Sequence, residues 1–273
     1  MRIAITGASG LLGQPVAQHF SQGNHDITRF GRKADVDWQL GQDVDLSGFD
    51  VLIHAGFAHV PGKYRGGEGD NPGDFIHKNQ HGTLNLWQAA ERARCQVIFL
   101  STRAVYGDYP AGTALFEDMA ARPDTLYGRV KHESEKALGN LGVSLRITGV
   151  YGPPVPGRGH KWQGLFADFA AGKVSRARAG TEVHIADLIQ AIDIIIENGI
   201  RGETFNVSDF ILDHRDLLET YANLSGINGN FPSLSDSSKV SAMNTDKLRA
   251  LGWVPRGRDG LEQTLDEIIR CQT

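Results

Sequence analysis

The sequence predicts an α/β protein built on a doubly wound parallel sheet, with a smaller lobe toward the C-terminus. Three observations lead there. Short apolar runs alternate with stretches of helical periodicity through the first two thirds of the chain. Those runs are apolar almost throughout, so both faces of the sheet must be covered. The first run is followed by Gly7-Ala8-Ser9-Gly10-Leu11-Leu12-Gly13, a turn that opens the first helix.

Residues 2–6 (Arg-Ile-Ala-Ile-Thr) read as the first strand and 11–22 as the first helix. Pro15 falls in that helix's first turn, where a missing N–H costs little. Residues 25–30 form a second strand, and Asp50-Val51-Leu52-Ile53-His54-Ala55 a buried one. Residues 62–74, rich in glycine and charge, read as a mobile loop near the carboxyl edge of the sheet. A helix over 75–92, a strand over 97–101, a helix over 124–138 and a strand over 143–146 follow. Asp124 is the expected N-cap of the second of these helices. Right-handed crossovers put helices on both faces. After Tyr151, Gly152-Pro153-Pro154-Val155-Pro156-Gly157-Arg158-Gly159 breaks the alternation, and Thr204-Phe205-Asn206-Val207 returns as a strand.

The bulk numbers exclude several classes. The chain has 273 residues, 40% hydrophobic and 22% charged, with a formal net charge of −4, ordinary for a soluble globular enzyme. There is no long basic run, so neither nucleic acid nor an anionic membrane is an expected partner. The longest strongly apolar stretch, near 192–196, is too short to span a bilayer. The chain enters its first strand at once, without a cleavable signal pattern. Cys95 and Cys271 have no metal-ligand spacing, so no metal site is expected, and their scarcity suits a reducing, cytoplasmic location.

Two segments carry chemistry. Gly7, Gly10 and Gly13 follow a strand and open a helix, the context in which a backbone turn approaches a dinucleotide pyrophosphate. Ser9, Leu11 and Leu12 belong to the same cradle. At the end of the second strand, where NAD binders place an acid about 20 residues on, the chain has Gly31-Arg32-Lys33. With no carboxylate there to repel a 2′-phosphate, Arg32 favours NADP over NAD. The second segment is Tyr127-Gly128-Arg129-Val130-Lys131. A spacing of four puts Tyr127 and Lys131 on one helix face, where an ammonium would lower the phenol and make it an acid/base. At the end of the 97–101 strand, Thr102 is the first choice for a substrate-facing hydroxyl and Ser101 the second. Each motif also has a plain structural reading: a glycine turn, solvated surface charges, a helix pair, or a Ser/Thr pair satisfying backbone groups.

Together these residues resemble the extended short-chain dehydrogenase/reductase superfamily, in its NAD(P)-dependent epimerase/dehydratase branch, whose members commonly act on nucleotide sugars. The resemblance runs through Thr6 to Gly13, Asp50 to Ala55, Asn79-Gln80-His81-Gly82-Thr83-Leu84-Asn85, Ser101-Thr102-Arg103-Ala104-Val105-Tyr106-Gly107, the Tyr127/Lys131 pair, Leu145-Arg146, Val150-Tyr151-Gly152-Pro153, Val183-His184-Ile185-Ala186-Asp187-Leu188 and Leu251-Gly252-Trp253-Val254-Pro255. It implies a Rossmann-type domain over 1–150 with a returning segment at about 184–208, and a substrate lobe from 151–183 and 209–273. It implies Thr102, Tyr127 and Lys131 as catalytic residues, with Lys131 also on the nicotinamide ribose, and Ala55 and Asn79 on the cofactor side. It also implies that Asp187 caps a helix over 188–197, and that the 75–92 and 124–138 helices pair in a homodimer, with Leu84, Leu86 and Trp87 either on that face or in the core.

The departures are as informative. Sugar dehydratases have an Asp-Glu pair after the catalytic Thr; here Arg103 and Ala104 stand there, which argues against dehydration. Gly149 and Gly180 occupy positions where nucleotide-sugar epimerases usually have Asn and Arg. Arg103 follows Thr102 directly and suggests a clamp on an anionic, sugar-acid-like substrate. The expected activity is hydride transfer at a sugar-like hydroxyl or ketone, by an epimerase or a dehydrogenase/reductase. A non-enzymatic NAD(P)-sensing protein on the same fold is the alternative; such relatives usually lose the Tyr or the Lys, and both stand here.

Overall fold

The computed structural model describes residues 1–60 and 67–271. Of the loop expected over 62–74, positions 62–66 lie outside the described residues, and 67–70 form a turn. The elements run β1 (Arg2–Thr6), α1 (Gly13–Gln22), β2 (Asp26–Phe30), β3 (Val51–His54), α2 (Pro72–Ile76), α3 (Gly82–Ala93), β4 (Gln96–Thr102), α4 (Leu126–Leu138), β5 (Gly142–Ile147), β6 (Gly149–Tyr151), α5 (Gln163–Ala170), β7 (Ala179–His184), α6 (Ile185–Glu197), β8 (Glu203–Val207), β9 (Phe210–Asp213), α7 (His214–Ser225), α8 (Asp246–Arg249) and α9 (Gly257–Arg270). They divide into two compact units. One comprises Met1–Tyr109, Glu117–Ile147 and Ala191–Asn206; the other comprises Pro110–Phe116, Thr148–Gln190 and Val207–Thr273.

The first unit is organised on a six-stranded sheet of order β2-β1-β3-β4-β5-β8. The pairings β1/β2, β1/β3, β3/β4 and β4/β5 are all parallel. The chain leaves β1 toward β2 and then returns to its other side with β3, so the carboxyl ends of β1 and β3 flank a topological switch point. The strands β3, β4 and β5 are buried at every position, which explains why their sequences lack polar alternation. Each fully buried Val, Leu or Ile there contributes roughly 1.5–3 kcal/mol.

The helix expected over 75–92 is three pieces. Pro72 starts α2, and Asn71 caps it by accepting the Asp74 N–H at 3.0 Å. A π turn over His77–His81 joins α2 to α3, and α3 stops at Arg94 in the left-handed region (φ 57°). Leu86 and Trp87 are core residues of this unit, and the Trp87 indole donates to the Ser134 carbonyl at 3.0 Å. Burial in the chain's own core removes them from the face offered for a dimer.

Two expected caps are corrected. Thr125, not Asp124, caps α4: Thr125 has the extended backbone of a cap and accepts the Gly128 N–H at 3.1 Å. Asp187 lies inside the first turn of α6, which starts at Ile185. It is the His184 Nδ1 that accepts the Ala186 N–H at 3.1 Å, while Asp187 accepts the Arg256 N–H and pairs with its guanidinium.

The second unit has its own three-stranded sheet, β6-β7-β9, parallel between β6 and β7 and antiparallel between β7 and β9. Its core gathers Tyr151, Trp162, Phe166, Leu217, Tyr221 and Leu265, with the Phe166 and Tyr221 rings stacked at 4.0 Å.

Candidate active site

The site is assembled within the first unit from four backbone segments that touch in sequence. The first is the glycine turn. Gly7 has φ +70°, and a Cβ there would stand 2.6 Å from the Gly56 nitrogen and 2.7 Å from the Ala55 carbonyl. A Cβ on Gly13 would stand 2.1 Å from the Gly7 oxygen. Both glycines are therefore required by close backbone approach. Gly10 differs: the one neighbour within 4 Å of its Cβ position is the Gly7 oxygen at 3.2 Å, so its outer side is open. Its N–H donates to Gly7 at 2.9 Å, which closes the turn and delays α1 to Gly13. No side chain caps α1, so the N–H groups of its first turn have no capping side chain. Ser9 and Leu11 are exposed and Leu12 half-buried along the same turn. An open glycine beside an uncapped helix start suits a pyrophosphate.

The second segment, Ala55 to Ala58, leaves β3 and abuts Gly7. Asn79, buried in the π turn, holds it: the Asn79 amide donates to the Ala58 and Phe75 carbonyls at 2.7 and 2.9 Å, and its oxygen accepts the Ala58 N–H at 2.7 Å. Both amide protons are used, so Asn79 positions this loop. His54, just before it, bridges Thr6 Oγ1 at 2.6 Å and Thr83 Oγ1 at 3.3 Å. Burial, reinforced by the nearby Lys131 charge, holds the His54 imidazole well below its ordinary pKa and therefore neutral.

The third segment is the end of β4. Thr102 is nearly buried, and its hydroxyl oxygen accepts the Ala104 N–H at 3.1 Å, which starts the short turn Arg103–Val105. Arg103 is half-buried there. Ser101 belongs to the layer behind: its hydroxyl donates to Glu135 at 2.5 Å.

The fourth segment is α4. A Cβ on Gly128 would stand 2.4 Å from the Ala104 oxygen, so a glycine next to Tyr127 lets the helix start lie directly on the turn after Thr102. Tyr127 is half-buried and meets the Phe57 ring edge-on at 5.0 Å. Lys131, one turn on, is 4% exposed and donates to the Leu100 carbonyl at 2.7 Å. Its ammonium lies 4.9 Å from the Phe57 centroid and 4.4 Å from that of Phe99. Phe57, from the loop against the glycine turn, thus touches both members of the pair. Burial pushes Lys131 down to about 7, opposed by the charge of Glu135.

Glu135 lies a further turn along this face and is 5% exposed at its side chain. Burial works to raise its carboxyl, but hydrogen bonds from Arg146 and Ser101 and the Arg146 charge outweigh it and keep Glu135 ionised, with His132 Nδ1 3.8 Å away. Arg146 binds both oxygens, at 2.9 to 3.2 Å. Sequence reasoning missed His54, Phe57 and Glu135. Glu135 carried a readable signal: it continues the four-residue spacing of Tyr127 and Lys131.

Arg32 stands just beyond β2, exposed, with no hydrogen-bond or ion-pair partner among the described residues. Among the described residues no cluster of His, Cys, Asp and Glu suits a metal ion, and no helix is long and apolar enough to cross a membrane.

Comparison with known proteins adds the following. The model of the NAD dependent epimerase/dehydratase family matches residues 3–208. A UDP-glucose 4-epimerase from Corynebacterium glutamicum is 28% identical over 179 residues, 56% of this chain and 53% of that protein. Methionine adenosyltransferase 2 subunit beta from Mus musculus is 32% identical over 161 residues, 55% of this chain and 47% of that protein. The chain spans about half the length of these two relatives. A solved UDP-glucose 4-epimerase from Thermotoga maritima, with UDP-glucose, has the same fold: the TM-score is 0.80 at 18% identity, with 100% of each chain covered.

Proposed function

The chain belongs to the NAD-dependent epimerase/dehydratase family, and on that premise we propose that it is a nicotinamide-dependent epimerase or dehydrogenase/reductase acting at a sugar-like hydroxyl or ketone. The observation that carries the proposal is Phe57. It extends from the loop packed on the glycine turn and contacts both Tyr127 and Lys131, which ties the cradle to the acid/base pair.

The residues fit a dinucleotide. Gly7 to Gly13 and the start of α1 would hold the pyrophosphate, Arg32 the adenosine end, and Ala55 with the Asn79-held loop the nicotinamide side. When bound, the nicotinamide accepts or supplies the hydride. The protein supplies the proton: Tyr127 Oη takes it from a substrate hydroxyl or gives it to a carbonyl. Lys131 stabilises the phenolate and, with one of its three N–H groups on Leu100, keeps two for the phenolate and the ribose. Thr102 offers the substrate-facing hydroxyl, while the Ser101 hydroxyl is engaged by Glu135. No carboxylic acid follows Thr102, so water loss has no acid at that place.

Cofactor retention tests the reading and divides it. Nucleotide that stays bound through purification supports an epimerase, and free exchange with NADPH supports a reductase. No nicotinamide nucleotide bound at millimolar concentration would overturn the assignment. Arg32 carries the NADP preference: Arg32→Gln is expected to weaken NADP by about tenfold or more and leave NAD unchanged, since it removes a charge-assisted contact to the 2′-phosphate. Equal affinities of the native protein for both nucleotides would show that Arg32 does not select. The clamp on an anionic substrate predicts that Arg103→Ala raises KM with little change in kcat; an unchanged KM removes it.

A non-enzymatic reading draws support from the likeness to a protein named as a subunit. Against it stand Tyr127 and Lys131, both retained.

A further inference from the structure

Lys131 is buried where few ordinary partners can hold its charge. Among the described residues it makes one hydrogen bond, to the Leu100 carbonyl at 2.7 Å, and no ion pair. The ionisable groups around it are engaged elsewhere or neutral. Glu135, on the same helix, is bound through both oxygens by Arg146 of β5 and accepts the Ser101 hydroxyl of β4. His54, from β3, is neutral. Tyr127, one turn before Lys131, carries a charge only after it has given up its proton.

What remains is aromatic. The ammonium lies over two ring faces, those of Phe57 at 4.9 Å and Phe99 at 4.4 Å from their centroids. Both are inside the roughly 6 Å at which a ring face attracts a cation, and the attraction grows when the cation is out of water. Both rings are fixed by their own neighbours. Phe99 stacks on His54 at 5.7 Å and meets Trp87 edge-on at 5.2 Å. Phe57 packs on Phe75 at 5.5 Å and on Tyr127 at 5.0 Å, and Asn79 holds the Ala58 backbone next to it. A leucine at either place would keep the site dry and give the charge nothing.

We propose that Phe57 and Phe99 form an aromatic box that keeps Lys131 charged, and that Phe57 is a positioning residue of the reaction, acting on the proton at Tyr127 through Lys131. The catalytic use of the box rests on the oxidoreductase or epimerase reading; the box itself does not. The ring faces oppose the burial that already pushes Lys131 down to about 7. Loss of one face therefore lets the ammonium go at lower pH.

NMR of the full chain, with lysine carrying ¹³C at Cε, reads this titration directly, and the signal lost in Lys131→Met identifies the resonance. The Lys131 midpoint is expected to fall by roughly 0.5 to 1.5 units in Phe57→Leu and to return to the native value in Phe57→Tyr, which keeps the ring. Phe99→Leu should move it the same way through the second face. In turnover, the alkaline fall of kcat should shift to lower pH with the midpoint and return in Phe57→Tyr; lost packing alone would lower kcat equally at every pH. An unchanged or raised midpoint in Phe57→Leu, or one lowered as far in Phe57→Tyr, would overturn the box. A lowered midpoint with an unmoved kcat profile would overturn the positioning role. A lowered midpoint in a chain that binds no nicotinamide nucleotide leaves the box standing and removes its catalytic use, whereas turnover without the shift removes the box alone.

Discussion

Tyr127→Phe is expected to lower kcat by about 10²- to 10⁴-fold, the usual contribution of a positioned acid/base, with dinucleotide affinity unchanged. The substitution removes one oxygen and keeps the ring. The edge contact with Phe57 at 5.0 Å therefore survives, and so does the N-cap of α4, made by the Thr125 side chain. Only the group that moves the proton disappears. Steady-state turnover against nicotinamide fluorescence separates the two quantities. A variant that turns over as fast as the native chain would remove Tyr127 from the chemistry. If that variant also kept its cellular role, the non-enzymatic reading would take over.

The parts of the site legible in the sequence were those set by local periodicity and by backbone geometry. Gly7 and Gly13 are readable because a Cβ at either would stand only 2.1–2.7 Å from backbone atoms, so no other residue fits. Tyr127 and Lys131 are readable because a helix puts fourth neighbours on one face. The strands β3 and β4 are readable because burial on both faces leaves unbroken apolar runs. What escaped depends on partners distant in the chain. Phe57 is a single aromatic in a loop, and nothing nearby says that it touches Tyr127 and Lys131, about seventy residues later. His54 looks like the polar end of an apolar strand until Thr6 and Thr83 are seen on its two nitrogens. Ser101 ranked only second to Thr102 in sequence, and the pleat is what turns it toward Glu135. Asp124 and Thr125 both make good caps, and the choice falls on the residue whose backbone is extended when Leu126 becomes the first helical position. The strands β6 and β9 are only three and four residues long, and β7 mixes glycine with polar residues, so their pattern was too weak to read.

Lys131→Met is expected to abolish turnover and yet stabilise the unliganded protein, most strongly at and below neutral pH. Lys131 ionises at about 7 in the fold, down from an ordinary 10.5, because burial penalises its ammonium. In the window between those values the unfolded chain holds a proton that the folded chain has released. Unfolding then takes up a proton, so stability rises as pH climbs from about 7 toward 10.5. Below about 7 both states are protonated and the full penalty applies, on the order of a few kcal/mol. Methionine fills a similar volume without the charge and escapes the penalty, less roughly 1 kcal/mol for the Leu100 carbonyl left without its donor. The gap in urea midpoint between variant and parent should therefore be widest near pH 6 and narrow toward pH 10. A gap independent of pH would mean that the ammonium carries no burial penalty. The Glu135 charge, fixed by Arg146, opposes that penalty, so Glu135→Gln should move the start of the same window to lower pH. The ammonium that weakens the empty fold is the one placed to hold a phenolate on Tyr127, and the cost it imposes without ligand is the reason a charge at this position stabilises a developing anion so strongly.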